Sequence, residues 1–222
     1  MDDPLVVARP LQPKFYPIVD VGLLAERGWA LSAFANELSA AGVTWLQYRN
    51  KLQSDAHMLE DAAILRDIFA DAPTKLILND RADLVGRAGF HGVHIGQEDV
   101  APAIARAIVG GQGIVGVSTH TPEQVAAADA TDCDYIAYGP IFTTASKENP
   151  DPIVGLEGLR QARLATKKHL VAIGGITRSN CRSVIDAGAD AVAVISELVP
   201  MHTLDDAKSV QRIVEEFLAQ LT

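Results

Sequence analysis

The sequence predicts an α/β fold, a (βα)8 TIM barrel built as a single domain over residues 1–222. Short β-rich runs alternate with longer segments from one end of the chain to the other, which makes eight strand-then-helix units. The longer segments repeat their apolar residues at helical spacing, and no linker-like stretch divides them. This order is typical of a parallel barrel. A doubly wound open sheet is the competing architecture, because strand number alone does not decide between the two.

The predicted strands are apolar runs of five to seven residues, a length at which buried parallel strands are common. In chain order they are KFYPIVD (14–20), WLQYR (45–49), KLILND (75–80), GVHIG (92–96), IVGVS (114–118), YIAYGPI (135–141), LVAIGG (170–175) and AVAVIS (191–196).

The clearest predicted helices lie between these strands and after the last one. They cover residues 30–42, 55–70, 121–130, 178–189 and 204–221, the last being an amphipathic closing helix. Three of them begin beside a residue whose side chain is suited to N-capping, namely Ser54, Thr121 and Thr177.

Composition and charge restrict the class of protein. Apolar residues make up 48% of the chain and charged residues 21%, as in a globular protein in water. The formal net charge is -9 without a basic run, which argues against nucleic acid as a partner. No apolar stretch reaches the ~18 residues of a membrane helix, and the start MDDPLVVARPLQPKFYP lacks signal-peptide features. We therefore expect a cytoplasmic protein that binds no membrane.

The two cysteines, Cys133 and Cys181, form no C-x-x-C pair, so a cysteine zinc site is not expected. We interpret both as buried or idle thiols.

The end of the second predicted strand, LQYRNK, carries a cluster of polar side chains. Active sites of such barrels lie at the carboxyl ends of the strands. Strand alternation puts Gln47, Arg49 and Lys51 on one face, and Leu46 and Tyr48 on the other. A guanidinium fork beside an ammonium suits a phosphate or diphosphate. An exposed strand end with ordinary surface charges is an equally open interpretation.

Carboxylates follow the third and fourth strands. Asn79 and Asp80 end LILND, and Asp99 closes GQED after the fourth strand. Two carboxylates at neighbouring strand ends can share Mg²⁺, which takes its other ligands from phosphate and water. The alternatives are a helix cap or first-turn position for Asp99, and a cap or an ion pair with Arg81 for Asp80.

Two further residues near strand ends, Ser118 and His120, are candidates for a ligand contact or proton transfer, whereas a third polar residue, His94, is not. Ser118 ends the fifth strand, where its hydroxyl can bond a ligand. His120 could act as an acid or base, although a histidine in a polar loop is more often structural or solvated. His94, inside the fourth strand, is interpreted as a core histidine with satisfied hydrogen bonds.

Glycines after the seventh strand and the end of the eighth predict a phosphate cradle. Gly174 and Gly175 allow an anion to approach main-chain N–H groups, and Ile195 and Ser196 lie at the adjacent strand end. A tight turn without a ligand is the alternative. The stretch after the sixth strand, GPIFTTASKENPDPIVG (139–155), adds hydroxyls and a lysine that also suit an anion.

Taken together, the motifs resemble the thiamine-phosphate synthase family. The matching stretches, in family order, are LQYRNK, LILNDRADL, GVHIGQED, GVSTHT, DYIAYGPIFTTASK, GLEGL, VAIGGIT and GADAVAVIS. The resemblance implies a (βα)8 barrel and a Mg²⁺-dependent transferase. Its substrates would be 4-amino-5-hydroxymethyl-2-methylpyrimidine diphosphate and 4-methyl-5-(2-phosphoethyl)thiazole, and its products thiamine phosphate and pyrophosphate. Small molecules are thus the implied partners, and a homo-oligomer stays open.

The resemblance also implies roles for individual residues. The implied substrate-binding residues are Gln47, Tyr48, Arg49, Asn50, Lys51, Asn79, Ser118, Thr144, Ala145, Ser146, Lys147, Gly175, Ile195 and Ser196. Arg49, Lys51, Ser118 and Lys147 are the implied catalytic residues. Asp80 and Asp99 match the implied Mg²⁺ ligands.

The chain departs from the family pattern at three positions. Thr143 replaces a proline, which makes the loop entry less rigid. Ser146 replaces a threonine but keeps the hydroxyl, and His91 replaces a common aspartate.

Two other functions compete with the synthase. A related thiazole tautomerase shares the barrel and a histidine like His120 but performs no diphosphate chemistry. A non-catalytic protein that binds thiamine phosphate or its precursors is the second rival. The QYRNK, ND and QED motifs favour the synthase.

Overall fold

The computed structural model describes residues 12–51, 54–144, 151–201 and 209–221, and it forms a closed parallel barrel. Each strand pairs with the next in chain order, and β1 pairs with β8. The barrel prediction is confirmed, and the doubly wound sheet is wrong. The strands are β1 (Phe15–Asp20), β2 (Trp45–Arg49), β3 (Lys75–Asn79), β4 (Gly92–Ile95), β5 (Ile114–Thr119), β6 (Tyr135–Tyr138), β7 (His169–Ile173) and β8 (Ala191–Val194).

Helices surround this barrel and connect its strands. Within the described ranges they are α1 (Val21–Glu26), α2 (Leu31–Ala40), α3 (Asp55–Ile68), α4 (Val85–Ala88), α5 (Pro102–Val109), α6 (Pro122–Asp129), α7 (Gly155–Ala165), α8 (Cys181–Asp186) and α9 (Ser209–Gln220). Short 3₁₀ turns at Ala82–Leu84 and Ser196–Leu198 follow β3 and β8. None of the helices in the described part of the chain combines the length and hydropathy required to cross a bilayer.

Five strands end earlier than the sequence predicted: β3 and β4 by one residue, β7 and β8 by two, and β6 by three. β6 stops at Tyr138 because Pro140 has no N–H for the ladder. β7 stops at Ile173 because the next two glycines adopt positive φ, +98° and +64°. The segment after β6 nevertheless stays attached to β7, since Ile141 N donates to Ile173 O at 2.9 Å. This segment is thereby held over the barrel mouth.

The predicted N-caps are confirmed at two of three helices. Ser54 caps α3, and Thr121 forms a capping box with Gln124 at the start of α6. The prediction for Thr177 is wrong: α8 begins only at Cys181, with Asn180 as its N-cap residue. The reason is that the Asn180 side chain accepts a hydrogen bond from Thr177 N at 2.8 Å, which stabilises a separate turn before the helix.

Apolar side chains form an outer core between strands and helices and an inner core inside the barrel. In the inner core the rings of Tyr16, Trp45 and Tyr135 meet edge to face, with centroids 5.6–5.8 Å apart. Gly116 makes room for them, because a Cβ there would lie 2.0 Å from the Tyr135 ring. The interior is therefore packed below the mouth, and ligand space remains at the carboxyl ends of the strands.

Both cysteines are buried and free, as expected for idle thiols.

Candidate functional site

The first cavity at the barrel mouth is lined by inward-facing polar side chains. Gln47, Arg49, Asn79 and Ser118 surround it together with apolar residues of the upper barrel. Alternation along β2 places Gln47 and Arg49 on the same inward face, as the sequence predicted. The structure thus brings together four predicted substrate-binding residues that are up to 71 positions apart, counted from Gln47 to Ser118.

A second cavity adjoins the first on the side of β6 to β8. Its lining includes Thr144, Gly175, Ile195 and Ser196, which are four more predicted binding residues. Ser118 and Ile195 line both cavities, so the two spaces share a wall. The two cavities are therefore adjacent at the barrel mouth.

Arg49 is held by a residue that sequence reasoning missed. Its guanidinium forms an ion pair with the Asp20 carboxylate, and the pairing of β1 with β2 places these two residues opposite each other. The other oxygen of Asp20 accepts a hydrogen bond from Leu23 N at 3.0 Å, which caps α1. An acid at the end of the first strand was the available signal. Asp20 fixes the position of the guanidinium at the rim.

Asp80 has an unusual backbone conformation and a cationic neighbour. Among the described non-glycine residues it alone has a positive φ, +64°. Its carboxylate lies 3.2 Å from Lys51 Nζ. The alternative pairing with Arg81 is not observed, because Arg81 pairs instead with Asp55 and Asp83.

Asp99 lies beside Asp80 at the same rim. Its carboxylate accepts a hydrogen bond from Gly96 N at 2.7 Å. Burial raises the pKa of the Asp99 carboxyl, and the neighbouring Asp80 carboxylate raises it further. The capping alternative does not hold, since the N-cap residue of α5 is Ala101.

The donor set at this rim fits Mg²⁺. Two mutually repelling carboxylates project from neighbouring strand ends next to the predicted diphosphate side chains. Within the part of the chain that the structure describes, no three or more His, Cys, Asp or Glu side chains form a cluster that could hold a metal on their own. That pattern suits a hard cation that takes phosphate oxygens and water as further ligands.

The predicted phosphate cradle contains the two glycines after β7, both with positive φ. A Cβ on Gly175 would lie 2.4 Å from Thr143 O, so the main chain here approaches the segment after β6 too closely for any other residue. Asn180 Nδ2 donates to Gly175 O at 3.0 Å and supports the turn. This support was also missed from the sequence.

The two histidines near the mouth are both held by polar contacts. Both ring nitrogens of His94 are hydrogen-bonded inside the barrel, at 2.9 Å to Tyr135 Oη and 2.8 Å to Ser118 Oγ, which confirms the core interpretation. His120 Nδ1 lies 2.6 Å from Gly139 O, and its Nε2 lies 3.4 Å from Asp151 Oδ2. The contacts of His120 agree with a structural role.

Two predicted binding residues on β2 and just after it do not turn their side chains to the mouth. Tyr48 is buried against the helices, where its hydroxyl donates to Asp61 Oδ2 at 2.7 Å. Asn50 Nδ2 donates to that same hydroxyl at 2.9 Å.

The predicted residues Ala145, Ser146 and Lys147 lie outside the described residues. Their roles stay predictions.

Comparisons with known proteins agree on one family for this chain. The family model described as thiamine monophosphate synthase matches residues 15–198. A thiamine-phosphate synthase of Koribacter versatilis (strain Ellin345) is 57% identical over 189 residues, covering 84% of this chain and 89% of the relative. A thiamine-phosphate synthase of Chloroflexus aurantiacus is 39% identical and covers 84% of this chain and 85% of its own.

Solved structures agree with these relatives. Thiamine phosphate pyrophosphorylase from Pyrococcus furiosus superposes with a TM-score of 0.77 at 30% identity, covering 94% of this chain and 95% of the other. A tryptophan synthase α-subunit from the same organism reaches a TM-score of 0.68 at 15% identity, covering 93% and 98%, and this second likeness shows the barrel fold alone.

Proposed function

The chain belongs to the thiamine monophosphate synthase family and is a transferase of thiamine biosynthesis, and we propose that it joins a pyrimidine diphosphate to a thiazole phosphate with the help of Mg²⁺. The substrates are those that the sequence motifs imply, 4-amino-5-hydroxymethyl-2-methylpyrimidine diphosphate and 4-methyl-5-(2-phosphoethyl)thiazole.

The observation that carries this proposal is the pair of adjoining cavities. One cavity has Arg49 and Asn79 in its wall, and Lys51 and Asp80 pair at the same end of the barrel. The other cavity has hydroxyls and glycines suited to a phosphate monoester. A synthase must bind two phosphorylated substrates in contact with each other, and the shared wall at Ser118 and Ile195 supports that requirement.

The proposed reaction exchanges one bond for another. The C–O bond between the pyrimidine methylene carbon and the diphosphate breaks, and its electron pair leaves with the diphosphate. The lone pair of the thiazole nitrogen then forms the new C–N bond. Arg49 and Lys51 stabilise the departing anion electrostatically, and Lys147 is proposed to do the same from the resemblance alone. Most of the rate enhancement then comes from electrostatics and positioning rather than proton transfer.

Asp80 and Asp99 are the residues proposed to hold Mg²⁺. When bound, the ion would supply positive charge to the diphosphate oxygens. In the absence of a cation, the Lys51 ammonium beside Asp80 offsets part of the carboxylate charge.

The decisive experiment supplies both substrates to the purified protein, with and without Mg²⁺, and measures thiamine phosphate. We expect product only when the metal is present. Absence of metal-dependent product would refute the proposal, and isomerisation of a thiazole phosphate instead would favour the tautomerase. A cytoplasmic location and any homo-oligomeric state remain predictions.

A further inference from the structure

A chain of hydrogen bonds crosses the barrel interior from Gln47 to Ser118. Gln47 Nε2 donates to Tyr16 Oη at 3.2 Å, and Tyr16 Oη lies 3.0 Å from Tyr135 Oη. Tyr135 Oη lies 2.9 Å from His94 Nδ1, and His94 Nε2 lies 2.8 Å from Ser118 Oγ. The two ends of this chain line the first cavity, whereas Tyr135 lies beneath it in the inner core.

The direction of the bonds in the chain follows from its first donor together with the requirement that every buried hydroxyl proton has an acceptor. The amide nitrogen of Gln47 can only donate, so Tyr16 accepts from it. If Tyr16 then donates to Tyr135, and Tyr135 donates to His94 Nδ1, each buried hydroxyl proton has an acceptor. The opposite direction would leave the Tyr16 proton without an acceptor in the chain, where the residue is 1% exposed.

The requirement that every buried donor has an acceptor also determines the protonation of the two tyrosines and of His94. Burial raises the pKa of Tyr16 and of Tyr135 far above the usual range, so both hydroxyls keep their protons. An imidazolium at His94 would donate to Tyr135 as well and leave the Tyr135 proton without an acceptor in the chain. The arrangement that satisfies all members is neutral His94 with its proton on Nε2.

We propose that Tyr16, Tyr135 and His94 are positioning residues that make Ser118 a hydrogen-bond donor towards the ligand. If His94 Nε2 donates to Ser118 Oγ, the Ser118 proton is not used within the chain and is available to a ligand in the cavities that Ser118 lines. The group that Ser118 recognises is then a hydrogen-bond acceptor, such as a ring nitrogen or a phosphate oxygen. This inference rests on the proposed function only for the nature of that ligand.

Packing around the chain supports a fixed arrangement of its rings. The rings of His94 and Tyr135 stack with centroids 5.5 Å apart and an interplanar angle of 18°. Gly116 provides the space for the Tyr135 hydroxyl, since a Cβ there would lie 2.3 Å from that oxygen. An interior of this density leaves the rings little freedom to adopt another pattern of bonds.

The first test examines the free protein, so its outcome does not depend on the proposed reaction. Nitrogen-15 NMR of histidine-labelled protein, with the His94 signal among the six histidines assigned through a His94→Gln variant, reports which ring nitrogen carries the proton. We expect protonation at Nε2 in the unsubstituted protein and a mixture of tautomers in Tyr135→Phe. A proton on Nδ1 of the unsubstituted protein would overturn the proposal.

The second test is a double-mutant cycle between Tyr135→Phe and Ser118→Ala. Tyr138→Phe is the matched control, because Tyr138 lies on the same strand but faces the outer core. We expect Tyr135→Phe either to raise the KM for the pyrimidine diphosphate or to lower kcat, in each case by roughly tenfold. Loss of one buried hydrogen bond can have an effect of this size. In the Ser118→Ala background it should add little, because both changes remove the same donor.

The outcome of the cycle distinguishes positioning from general stability. Independent, additive effects of the two substitutions would overturn action through Ser118, even if the tautomer is as expected. An equal loss of activity in Tyr138→Phe would do the same, because that hydroxyl is not part of the chain. Failure of the proposed function would appear as absence of product in the unsubstituted protein, with the NMR result unaffected.

Discussion

The relative losses of activity on substituting Asp80 and His120 distinguish the two enzymatic functions that the sequence left open. We expect Asp80→Ala to lower kcat by about 100-fold or more, since it removes one of two carboxylates proposed for Mg²⁺. His120→Ala should cost less than about tenfold, because the ring is held by Gly139 O and Asp151 and no proton transfer is assigned to it. Initial rates of thiamine phosphate formation over a range of Mg²⁺ concentrations measure both. The reverse ranking would support a tautomerase.

Asp99 is expected to stabilise the metal complex at the expense of the metal-free fold. Its carboxyl has a raised pKa in the folded state, so its ionisation destabilises that state as the pH rises from the unfolded to the folded pKa, and the cost persists at neutral pH. Asp99→Asn keeps an oxygen that can accept from Gly96 N but removes the charge. In EDTA at pH 7 the variant should melt slightly higher, by at most about 2–4 °C.

The difference should vanish at a pH below the unfolded pKa of aspartate, where the carboxyl is protonated in both states. Thermal melts at several pH values, followed by circular dichroism, measure it. Addition of Mg²⁺ with pyrophosphate should stabilise the unsubstituted protein more than the variant. A lower Tm for Asp99→Asn in EDTA at neutral pH would contradict the account.

At the residue scale, strand alternation predicted which side chains of β2 point inward but not what holds them. Gln47 and Arg49 were placed correctly because the period of two is local to one strand. The partners Asp20 and Tyr16 come from a different strand, and their contacts depend on the register between strands. Tyr48 shows a second limit of prediction from sequence. The family motif includes Tyr48 between Gln47 and Arg49, although its side chain faces the opposite side of the strand.

At the scale of elements, the turn after β7 predicts a measurable difference between two glycines. Gly175 and Gly42 have nearly equal φ, +64° and +70°, but only Gly175 has neighbours where a Cβ would lie. Gly42→Ala therefore measures backbone strain alone, about 1 kcal/mol. Gly175→Ala should lose more, about 2–4 kcal/mol, and should also raise the KM for the thiazole phosphate.

Urea unfolding of both variants and steady-state kinetics with varied thiazole phosphate test this expectation. Equal stability losses in the two variants would show that the approach to Thr143 does not matter. An unchanged KM in Gly175→Ala would argue that the anion does not use this turn.

The elements themselves were largely predictable, whereas their ends were not. Every strand was found from its apolar run, because burial on both faces of a barrel strand requires such a run. The ends of β6 and β7 were overestimated, since Pro140 and Gly174 leave the ladder while their neighbours remain apolar. The start of α8 was missed because Asn180 uses its side chain to close a turn rather than to extend the helix.

At the scale of the whole molecule, the closing helix α9 packs against the first strand and against α2. Phe217 on α9 stacks on Phe15 of β1 with ring centroids 5.0 Å apart. Lys14 Nζ donates to Leu221 O at 2.8 Å, and Glu37 of α2 accepts from Val210 N at 2.7 Å. The contacts of Phe15 and Lys14 lie at the start of β1, at the end of the barrel opposite the site. Phe217 should therefore contribute to stability without contributing to catalysis.

The substitution Phe217→Ala tests this separation. A fully buried phenylalanine replaced by alanine costs about 3–5 kcal/mol, which corresponds to a Tm lower by about 6–20 °C. Leu218→Ala is the matched control, because the neighbouring side chain on the same helix is 39% exposed and should cost much less. Below its melting temperature Phe217→Ala should retain kcat and both KM values.

Because β1 pairs with β2 and with β8, loss of the Phe217 contact should lower the stability of the closed barrel as one cooperative unit. Ellipticity and activity should then be lost in a single coincident transition, whereas early loss of activity at unchanged ellipticity would show that α9 supports the mouth directly.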